Sequence, residues 1–391
     1  MPQPELAASA TRALRFVGGR VVTPDGVLDG ARLRVEDGVV TDLDAGPAGV
    51  EDVDLEGALL LPGLVDLHTD NLERHYMPRP GAHWDAFGSA VAHDGQIATS
   101  GITTVLDSLS LHGSVDGLDR LAHLVPMLDG LGAARDAGAL RVDHLLHLRC
   151  EVSSAEMPAV LEPLLDRTDL ILLSVMDHTP GQGQYHDVDA MRERLRAEGR
   201  SDAEIDEFLE RMRGLRDGDG AETRRALVAR HARERAIAFA SHDDLTVEDV
   251  DRALGLGCTI AEFPVSLAAA RHARDQGLVN ALGAPNFVRG GSHSGNLSAR
   301  DCAREGLLDI LCSDYVPLSM LRAVFQLTEP PFGFSLPDAV ATASLAPARA
   351  VGLEDRGALA VGRRADLLSV EHAPDQWPVL RGVWVAGART A

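Results

Sequence analysis

The stretch LPGLVDLHTD at residues 61–70 is a short apolar run that ends in polar side chains, and the same pattern recurs along the middle of the chain. Seven further runs follow it: GITTVLDSL (101–109), VDHLLHLRCE (142–151), DLILLSVMDH (169–178), AIAFASHDD (236–244), CTIAEFPVS (258–266), LVNALGAP (278–285) and LLDILCSDY (307–315). Helical stretches separate them, and such alternation is typical of an α/β barrel or of an open parallel sheet. Eight units favour a (β/α)8 TIM-like barrel over residues 61–350.

The sequence pattern at both ends of the chain differs from that of the middle. Short strand-like segments with Asp-Gly and Gly-Gly turns occupy residues 14–43, and similar segments return at residues 357–370 and 379–390. These turns are typical of hairpins. We therefore predict a small composite β-sandwich domain built from both termini, with residues 12–60 as its first part and residues 351–391 as its second.

One charged segment is too long for a simple barrel helix and is predicted to be a helical insertion at about residues 186–234. Within it, Ser201 and Glu204 have the spacing of a capping box. Ile205, Phe208, Leu209 and Met212 then recur with the period of an amphipathic helix. The insertion is interpreted as a lid, as an oligomer contact or as a merely solvated excursion.

The composition excludes several classes of function. The 391 residues carry a formal net charge of −22, whereas a surface for nucleic acid or an anionic membrane needs clustered Lys and Arg. No lysine occurs, so Schiff-base chemistry, P-loop lysines and carboxylated-lysine metal bridges are excluded. The four cysteines form no CxxC pair and are expected to be buried thiols. Without a signal-peptide core or an apolar run of about 20 residues, a cytoplasmic protein is expected.

Histidines and carboxylates recur where the strand-like runs end. They come from five of the eight runs and are His68, Asp70, Glu151, His178, His242 and Asp314. A single buried His is more often an ordinary core residue, and a single Asp after a strand is often a helix N-cap. Six such residues at equivalent places predict a metal centre, because barrel active sites lie at the carboxyl ends of the strands.

The ligand types indicate which cofactor and which chemistry to expect. Imidazole combined with carboxylate suits Zn²⁺, Mn²⁺ or Fe²⁺. One or two divalent ions per chain are expected, and in the second case Glu151 would bridge them. Asp314, on the last strand, is predicted to be the catalytic residue that accepts the proton of the attacking water.

Several motifs resemble known proteins. The LPGLVDLH opening, the Asp on the eighth strand and the closing GALAVGRRADL are similar to the amidohydrolase superfamily. More specifically, the chain resembles the α-D-ribose 1-methylphosphonate 5-triphosphate diphosphatases of the carbon–phosphorus lyase pathway. Six segments carry this resemblance: HTDNLERHYMPRP (68–80), AHDGQIATSGITTVLDSLS (92–110), SVMDHTPGQGQY (174–185), FASHDD (239–244), NFVRGGSHSGN (286–296) and CSDYVP (312–317).

The resemblance implies hydrolysis of a phosphoanhydride bond: a phosphorylated ribose would lose diphosphate and keep the 5-phosphate. Such an anionic substrate needs local donors, and the candidates are Arg74, His75, Arg79, Arg149, Arg289, Ser292, His293 and Asn296. The chain departs from the superfamily's common His-x-His, since Asp70 stands in the second place. The sequence is therefore compatible with a site for one metal ion as well as with a site for two.

Two alternatives to phosphoanhydride cleavage are considered. The same fold could cleave a C–N bond, as a deacetylase, deaminase or cyclic amidase. A different class is a non-catalytic scaffold in a multi-enzyme complex, against which the six intact ligand positions argue. A homodimer is possible, and no nucleic-acid or membrane partner is expected.

Overall fold

The computed structural model describes residues 13–43, 51–79, 81–112, 120–214, 220–292 and 295–391. Seven short strands precede the barrel: β1 (Leu14–Val17), β2 (Arg20–Thr23), β3 (Gly26–Asp29), β4 (Leu33–Glu36), β5 (Val39–Asp42), β6 (Glu51–Asp54) and β7 (Leu59–Pro62). The barrel strands are β8 (Leu64–Thr69), β9 (Ile102–Leu111), β10 (Asp143–Glu151), β11 (Leu170–Met176), β12 (Ala238–His242), β13 (Ile260–Glu262), β14 (Val279–Gly283) and β15 (Ile310–Cys312). Three more complete the chain: β16 (Leu367–Glu371), β17 (Val379–Val385) and β18 (Ala388–Arg389).

The helices lie between and after the barrel strands. They are α1 (Asn71–Tyr76), α2 (Ala86–Thr99), α3 (Arg120–Asp136), α4 (Met157–Leu161), α5 (Val188–Ala197), α6 (Asp202–Gly214), α7 (Gly220–Arg235), α8 (Val247–Leu256), α9 (Leu267–Asp275), α10 (Ala284–Arg289), α11 (Ala299–Arg304), α12 (Ser319–Thr328), α13 (Leu336–Ala341) and α14 (Leu345–Ala350). Single 3₁₀ turns occur at Glu162–Leu164 and Gly183–Tyr185. In the described part of the chain, no helix is both long enough and apolar enough to cross a membrane.

The eight predicted apolar runs each contain one strand of a single parallel sheet, ordered β8 to β15 without interruption. Its two edges meet where the Asp314 amide donates to the His68 carbonyl at 2.8 Å and the Asp70 amide donates to the Asp314 carbonyl at 3.0 Å. The Asp66 carboxylate adds to this junction by accepting from the Ser313 amide at 2.9 Å. The expected barrel is therefore confirmed.

Small and branched apolar side chains fill the interior of the barrel. They come from successive strands and include Val65, Leu106, Leu172, Ile260 and Ile310, all at most 1% exposed. Two larger apolar clusters lie outside the strands, between the sheet and the surrounding helices. Strands that are buried on both faces explain why the sequence shows continuous apolar runs instead of alternation.

Strands from the two ends of the chain share one sheet, in the order β18-β17-β16-β7-β2-β3. β7 pairs with β16 in antiparallel fashion and with β2 in parallel fashion. A second sheet, β5-β4-β1-β6, completes this part, and Phe16 meets Trp384 edge to face with ring centroids 5.0 Å apart. A separate sheet domain built from both termini is confirmed, while the residue limits given for the domains stay predictions.

The charged segment after β11 forms three helices, α5, α6 and α7. The capping box is confirmed, since the Ser201 amide donates to Glu204 Oε2 at 2.8 Å. The four apolar residues predicted on one face of α6 are buried, together with Met191 and Leu195 of α5, in a cluster of their own. α7 packs against the barrel through Val228 and its neighbours. The additional structure is therefore concentrated in α5 and α6.

Candidate metal centre and substrate pocket

A cavity of about 360 Å³ opens at the carboxyl ends of the barrel strands. Nine of the predicted site residues line it: His68, Asp70, Arg74, Arg149, His178, His242, Ser292, Asn296 and Asp314. The lining also includes Ser110, Gln184, Tyr185, Asp243, Phe263, Pro264, Val265, Leu282, Gly283, Asn286, Leu297 and Tyr315. Five of the six strand-end residues thus converge on one cavity although they lie far apart in sequence; Glu151 is not part of its lining.

Glu262, the last residue of β13, holds two of the histidines. Its Oε1 lies 2.7 Å from His68 Nδ1 and its Oε2 lies 2.6 Å from His242 Nδ1. Burial alone would raise the pKa of Glu262. The nearby imidazoles of His68, His147 and His242 have the larger effect and hold this pKa well below its ordinary value. An ionised carboxylate only accepts hydrogen bonds, so both Nδ1 atoms must donate. The Nε2 atoms of the two rings are left to face the cavity.

Glu151 does the same for the third histidine. Its Oε2 lies 3.1 Å from His178 Nδ1, and its Oε1 accepts from the Ser153 hydroxyl at 2.6 Å. Burial opposes ionisation, but the hydrogen bond and charge of His178 prevail and lower the pKa of Glu151 to about 2. Three imidazoles are therefore each held at Nδ1 by a buried carboxylate, which is how proteins commonly orient metal-binding histidines.

Two open groups of ligand-type atoms result, each with all its atoms within 4.8 Å of one another. The first group comprises His178, His242 and Asp243, and the second comprises His68, Asp70 and Asp314. In the first group, Asp243 Oδ2 lies 3.5 Å from His178 Nε2 and 3.6 Å from His242 Nε2. Tetrahedral ligands at about 2.0–2.1 Å from zinc lie roughly 3.3 Å apart, so these separations suit one ion.

The first group also contains polar atoms that need a partner. His178 Nε2 and Asp243 Oδ2 are buried, and within the described residues neither makes a hydrogen bond. Buried polar atoms without partners are rare in folded proteins and point to a missing water or ion. The donor set therefore fits a divalent metal on chemical grounds and on geometric grounds.

Two other clusters of His and carboxylate are explained without a metal. In the cluster of His68, His242 and Glu262, each oxygen of Glu262 is already hydrogen-bonded to one histidine Nδ1. In the buried cluster of His93, Asp107 and His144, the Asp107 carboxylate lies 2.7 Å from His93 Nε2 and 2.8 Å from His144 Nδ1. This second cluster joins α2 to β9 and β10, outside the barrel interior.

Asp314 follows β15 and points into the cavity. Burial, helped by the nearby charge of Asp70, raises the pKa of Asp314 to about 6. Gly283 faces it across the cavity wall, and a Cβ at that position would lie 3.3 Å from Asp314 Oδ2, so a glycine leaves room for the carboxylate. A carboxyl group with a pKa close to neutrality is suited to accept a proton at physiological pH.

Backbone strain is concentrated at this edge of the barrel. Asp243, Phe263 and Asp314 follow β12, β13 and β15, and their φ angles are 59°, 54° and 54°. Left-handed backbone is uncommon for residues other than glycine and is most unusual for a bulky aromatic residue. The strain turns two carboxylates toward the cavity, and it places the Phe263 ring against both His68 and His242, with centroids 4.8 and 5.5 Å away.

Arg149 brings a positive charge into the floor of the cavity. Its NH1 donates to Asp70 Oδ1 at 2.7 Å, and its NH2 lies 3.5 Å from His242 Nε2. The side chain is only 12% exposed. Because it contacts one residue of each open group, the guanidinium stands between the two groups.

Two further arginines meet at Tyr315, on the rim of the cavity. Arg74 NH1 approaches the Tyr315 carbonyl at 3.5 Å and its guanidinium lies 5.7 Å from the Tyr315 ring. Arg289 NH1 donates to the Tyr315 hydroxyl at 3.1 Å. On the opposite rim, Asn296 donates to the Gln184 carbonyl at 3.3 Å, so the loop after α10 meets the segment before α5.

Some predicted site residues are not brought to the cavity. His75 points toward α2, where its Nε2 lies 2.9 Å from Gln96 Oε1, and Arg79 is exposed beyond the end of α1. Neither lines the cavity, and Arg289 is also absent from the lining. His75 points away because successive residues of a helix point in different directions. Glu151 lies behind His178 instead of between two ligand groups, which does not favour a bridging role. His293 lies outside the described residues.

Five residues of the site were not selected from the sequence: Asp243, Glu262, Phe263, Tyr185 and Tyr315. Glu262 ends a strand, so the rule that selected the other carboxylates could have found it. Tyr185 and Tyr315 stand directly in the quoted motifs, but nothing in their spacing indicates that they face the cavity.

Comparisons with known proteins agree with this geometry. The sequence pattern of the amidohydrolase family matches residues 175–391. The chain is 41% identical over 341 residues to the alpha-D-ribose 1-methylphosphonate 5-triphosphate diphosphatase of Escherichia coli (strain K12), covering 87% of this chain and 90% of that protein. It is 28% identical over 395 residues to the imidazolonepropionase of Deinococcus deserti, covering 93% and 92%.

Solved structures show the same fold at low identity. The N-acetylglucosamine-6-phosphate deacetylase of Pasteurella multocida superposes with a TM-score of 0.63 at 15% identity, covering 97% of this chain and 100% of that one. Such similarity concerns the fold alone. The sequence matches, by their extent, establish that the chain belongs to the amidohydrolase family and, within it, to the family of the ribose 1-methylphosphonate 5-triphosphate diphosphatases.

Proposed function

We propose that this chain is a metal-dependent hydrolase that cleaves α-D-ribose 1-methylphosphonate 5-triphosphate to the 5-phosphate and diphosphate. One observation carries the proposal: the open ligand groups and the arginines Arg149 and Arg74 line the same cavity. A cavity with cation-binding groups on its floor and guanidinium groups beside them suits a polyphosphate better than a neutral amide. The similarity to the Escherichia coli diphosphatase supports the same substrate class.

We assign the metal, which is Zn²⁺, Mn²⁺ or Fe²⁺ in this proposal, to the open group of His178, His242 and Asp243; the group of His68, Asp70 and Asp314 is the place that a second ion would need. A divalent ion there supplies Lewis-acid chemistry: it polarises a phosphoryl oxygen and eases deprotonation of the attacking water. Glu262 and Glu151 keep the imidazoles oriented for it by fixing hydrogen on each Nδ1.

The chain's own groups then have defined tasks. Asp314 accepts the proton of the water that attacks phosphorus, at a carboxylate whose pKa is raised to about 6 by burial and by Asp70. Arg149 donates to phosphate oxygens and so offsets the negative charge that develops on the leaving diphosphate as its bond to phosphorus breaks. Phe263, Asn296 and Leu297 line the same cavity.

Local cations must overcome an unfavourable long-range field, since the chain's net charge is −22. Arg74 at the rim, Arg289 beside Tyr315, and the polar groups of Ser292 and Asn296 are the proposed partners of the phosphates and the ribose. We also propose that the reaction takes place in the cytoplasm, and a homodimer remains a prediction.

The test is product identification by phosphorus NMR on purified chain of known metal content. Incubation with ribose 1-methylphosphonate 5-triphosphate is expected to yield equimolar diphosphate and 5-phosphate. N-acetylated sugar phosphates and cyclic amides are incubated in parallel, because they represent cleavage of a C–N bond. Release of acetate, amine or ammonia without any change at phosphorus, at full metal occupancy, would overturn the proposal.

A further inference from the structure

We propose that each chain binds one catalytic divalent cation, at His178, His242 and Asp243, and that Arg149 replaces a second cation beside His68, Asp70 and Asp314. The inference rests on the proposed function for its chemistry, but its evidence is the arrangement of charges in the cavity. It decides the number of ions, which the sequence left open, and gives Arg149 a role besides substrate contact.

The ion pair between Arg149 and Asp70 uses the atom that a second cation would need. Asp70 Oδ1 is the oxygen that lies 3.6 Å from His68 Nε2, and the same oxygen accepts from Arg149 NH1 at 2.7 Å. A charge-assisted bond of this length is among the strong polar contacts in proteins. One carboxylate of the second group is therefore already paired with a cation.

This cation cannot be removed by losing a proton. A guanidinium remains charged at any pH at which proteins fold. The Arg149 side chain is largely buried, and it is carried by the barrel strand β10. A divalent ion placed on Asp70 would stand within a few ångströms of this charge, and their repulsion is weakly screened inside a protein. Occupation of the second group is disfavoured as long as Arg149 stays in place.

Arg149 approaches the first group less closely than it approaches Asp70, whose Oδ1 lies 2.7 Å from Arg149 NH1. Arg149 NH2 lies 3.5 Å from His242 Nε2, which is too long for a strong hydrogen bond and is easily given up. His178 Nε2 and Asp243 Oδ2 are buried without a hydrogen bond in the described residues, so an ion there satisfies atoms that otherwise have no partner. The two groups share no carboxylate among the described residues, so neither site needs the other to be filled.

A single ion and a guanidinium would divide the work that two ions do in binuclear hydrolases. The ion would be held on the side of His178, whereas Arg149 contacts Asp70, which belongs to the same group as Asp314, the proposed proton acceptor. The ion and the guanidinium would both be available to oxygens of the phosphoryl group under attack. The positive charge required by a triphosphate is thereby supplied partly by the ion and partly by the protein itself.

The test counts ions and needs no substrate. Metal-free chain is titrated with Mn²⁺ in a calorimeter, and the bound metal is counted by elemental mass spectrometry after desalting. Wild type is expected to bind one ion per chain, and Arg149→Met, which keeps an unbranched apolar stem but removes the charged guanidinium, is expected to bind two. Arg74→Met is the matched control: it removes an arginine from the same cavity that has no contact with Asp70, and it is expected to bind one.

Two further variants assign the site. His178→Ala is expected to bind no ion, whereas His68→Ala is expected still to bind one. Two ions per wild-type chain, or one ion in a folded Arg149→Met, would overturn the inference. Should Arg149→Met fail to fold, electron paramagnetic resonance of Mn²⁺-loaded wild type decides: an uncoupled six-line spectrum agrees with one ion, and an exchange-coupled spectrum contradicts it. One ion in a chain that releases no diphosphate would refute the proposed function alone.

Discussion

Glu262 is a single residue on which two proposed metal-binding histidines depend. Each of its oxygens accepts from one Nδ1, at 2.7 and 2.6 Å, and the residue is 2% exposed. A glutamine cannot do the same. Its amide oxygen can accept from one Nδ1–H group, but its NH₂ group is a donor and cannot accept from the other. The chemistry of the carboxylate, and not merely its size, is therefore required at this position.

The substitution Glu262→Gln is expected to weaken metal binding about 10–100-fold, because one imidazole loses the partner that orients it. Calorimetric titration with Mn²⁺ measures the effect, and circular dichroism checks that the fold is retained. Glu305→Gln is the matched control, since Glu305 is a surface carboxylate paired with Arg271 at 2.6 Å. Equal affinities for Glu262→Gln and wild type would show that Glu262 does not orient the histidines.

The buried charge of His144, outside the cavity, bears on the stability of the fold. Burial opposes the charge of His144, but the charges and hydrogen bonds of Asp107 and Asp94 outweigh it and raise the pKa of His144 to about 9. Burial lowers the pKa of His93, which shares Asp107, so His93 stays neutral in this range. Since the folded pKa of His144 exceeds its ordinary value of 6.5, its contribution to stability is complete below pH 6.5 and is lost as the pH rises through 9.

The free energy of unfolding of wild type is therefore expected to fall by roughly 3 kcal/mol between pH 6.5 and pH 9.5 through this group, from a shift of about 2.5 units. Urea unfolding of wild type and His144→Gln at several pH values measures the difference, in which the contributions of other groups cancel. His186→Gln, at an exposed histidine, serves as control. A stability difference that does not change with pH would contradict a charged His144.

At the scale of elements, α5 and α6 form a small unit beside the pocket. Their apolar side chains pack mainly on one another, and the turn that precedes α5 supplies Gln184 and Tyr185 to the cavity wall. Tyr185 also meets the His178 ring at 5.7 Å. The unit is thus linked to the site through one short segment, whereas its own core is independent of the barrel.

Leu209→Ala is expected to destabilise this unit by about 2–5 kcal/mol, because Leu209 is 1% exposed and its loss leaves a cavity. Hydrogen exchange should become faster in residues 188–214 and stay unchanged in β8 to β15. Val228→Ala in α7, which packs on the barrel, is the matched comparison. Uniform acceleration across the barrel in Leu209→Ala would show that the unit is not separate.

The elements themselves could be predicted from the sequence much better than the directions of their side chains. Each apolar run contains a strand, because a strand that is buried on both faces needs apolar residues at nearly every position. The run at 258–266, however, continues through Phe263 and Val265, and the strand ends at Glu262, so the carboxylate at its end was not recognised. Helix α1 carries Arg74 to the cavity and His75 away from it, and a motif alone does not specify this rotation.

At the scale of the whole molecule, the net charge of −22 opposes the approach of a triphosphate. Salt screens this long-range repulsion over about 10 Å at 0.1 M, whereas the contacts inside the cavity are screened much less. Raising the ionic strength from about 0.01 to about 0.1 M is therefore expected to increase kcat/KM roughly severalfold. Initial rates far below KM, at constant free metal, measure it, and a decrease would show that the arginines at the rim dominate the field.

The central claim is that this pocket hydrolyses a phosphoanhydride bond with Asp314 as the proton acceptor. The most direct measurement compares diphosphate release from ribose 1-methylphosphonate 5-triphosphate by wild type and by Asp314→Asn, both with the same measured metal content. The account predicts release by wild type and a kcat lower by about 10²–10⁴-fold in the variant. Equal rates in the two proteins, or no diphosphate from fully metal-loaded wild type, would contradict it.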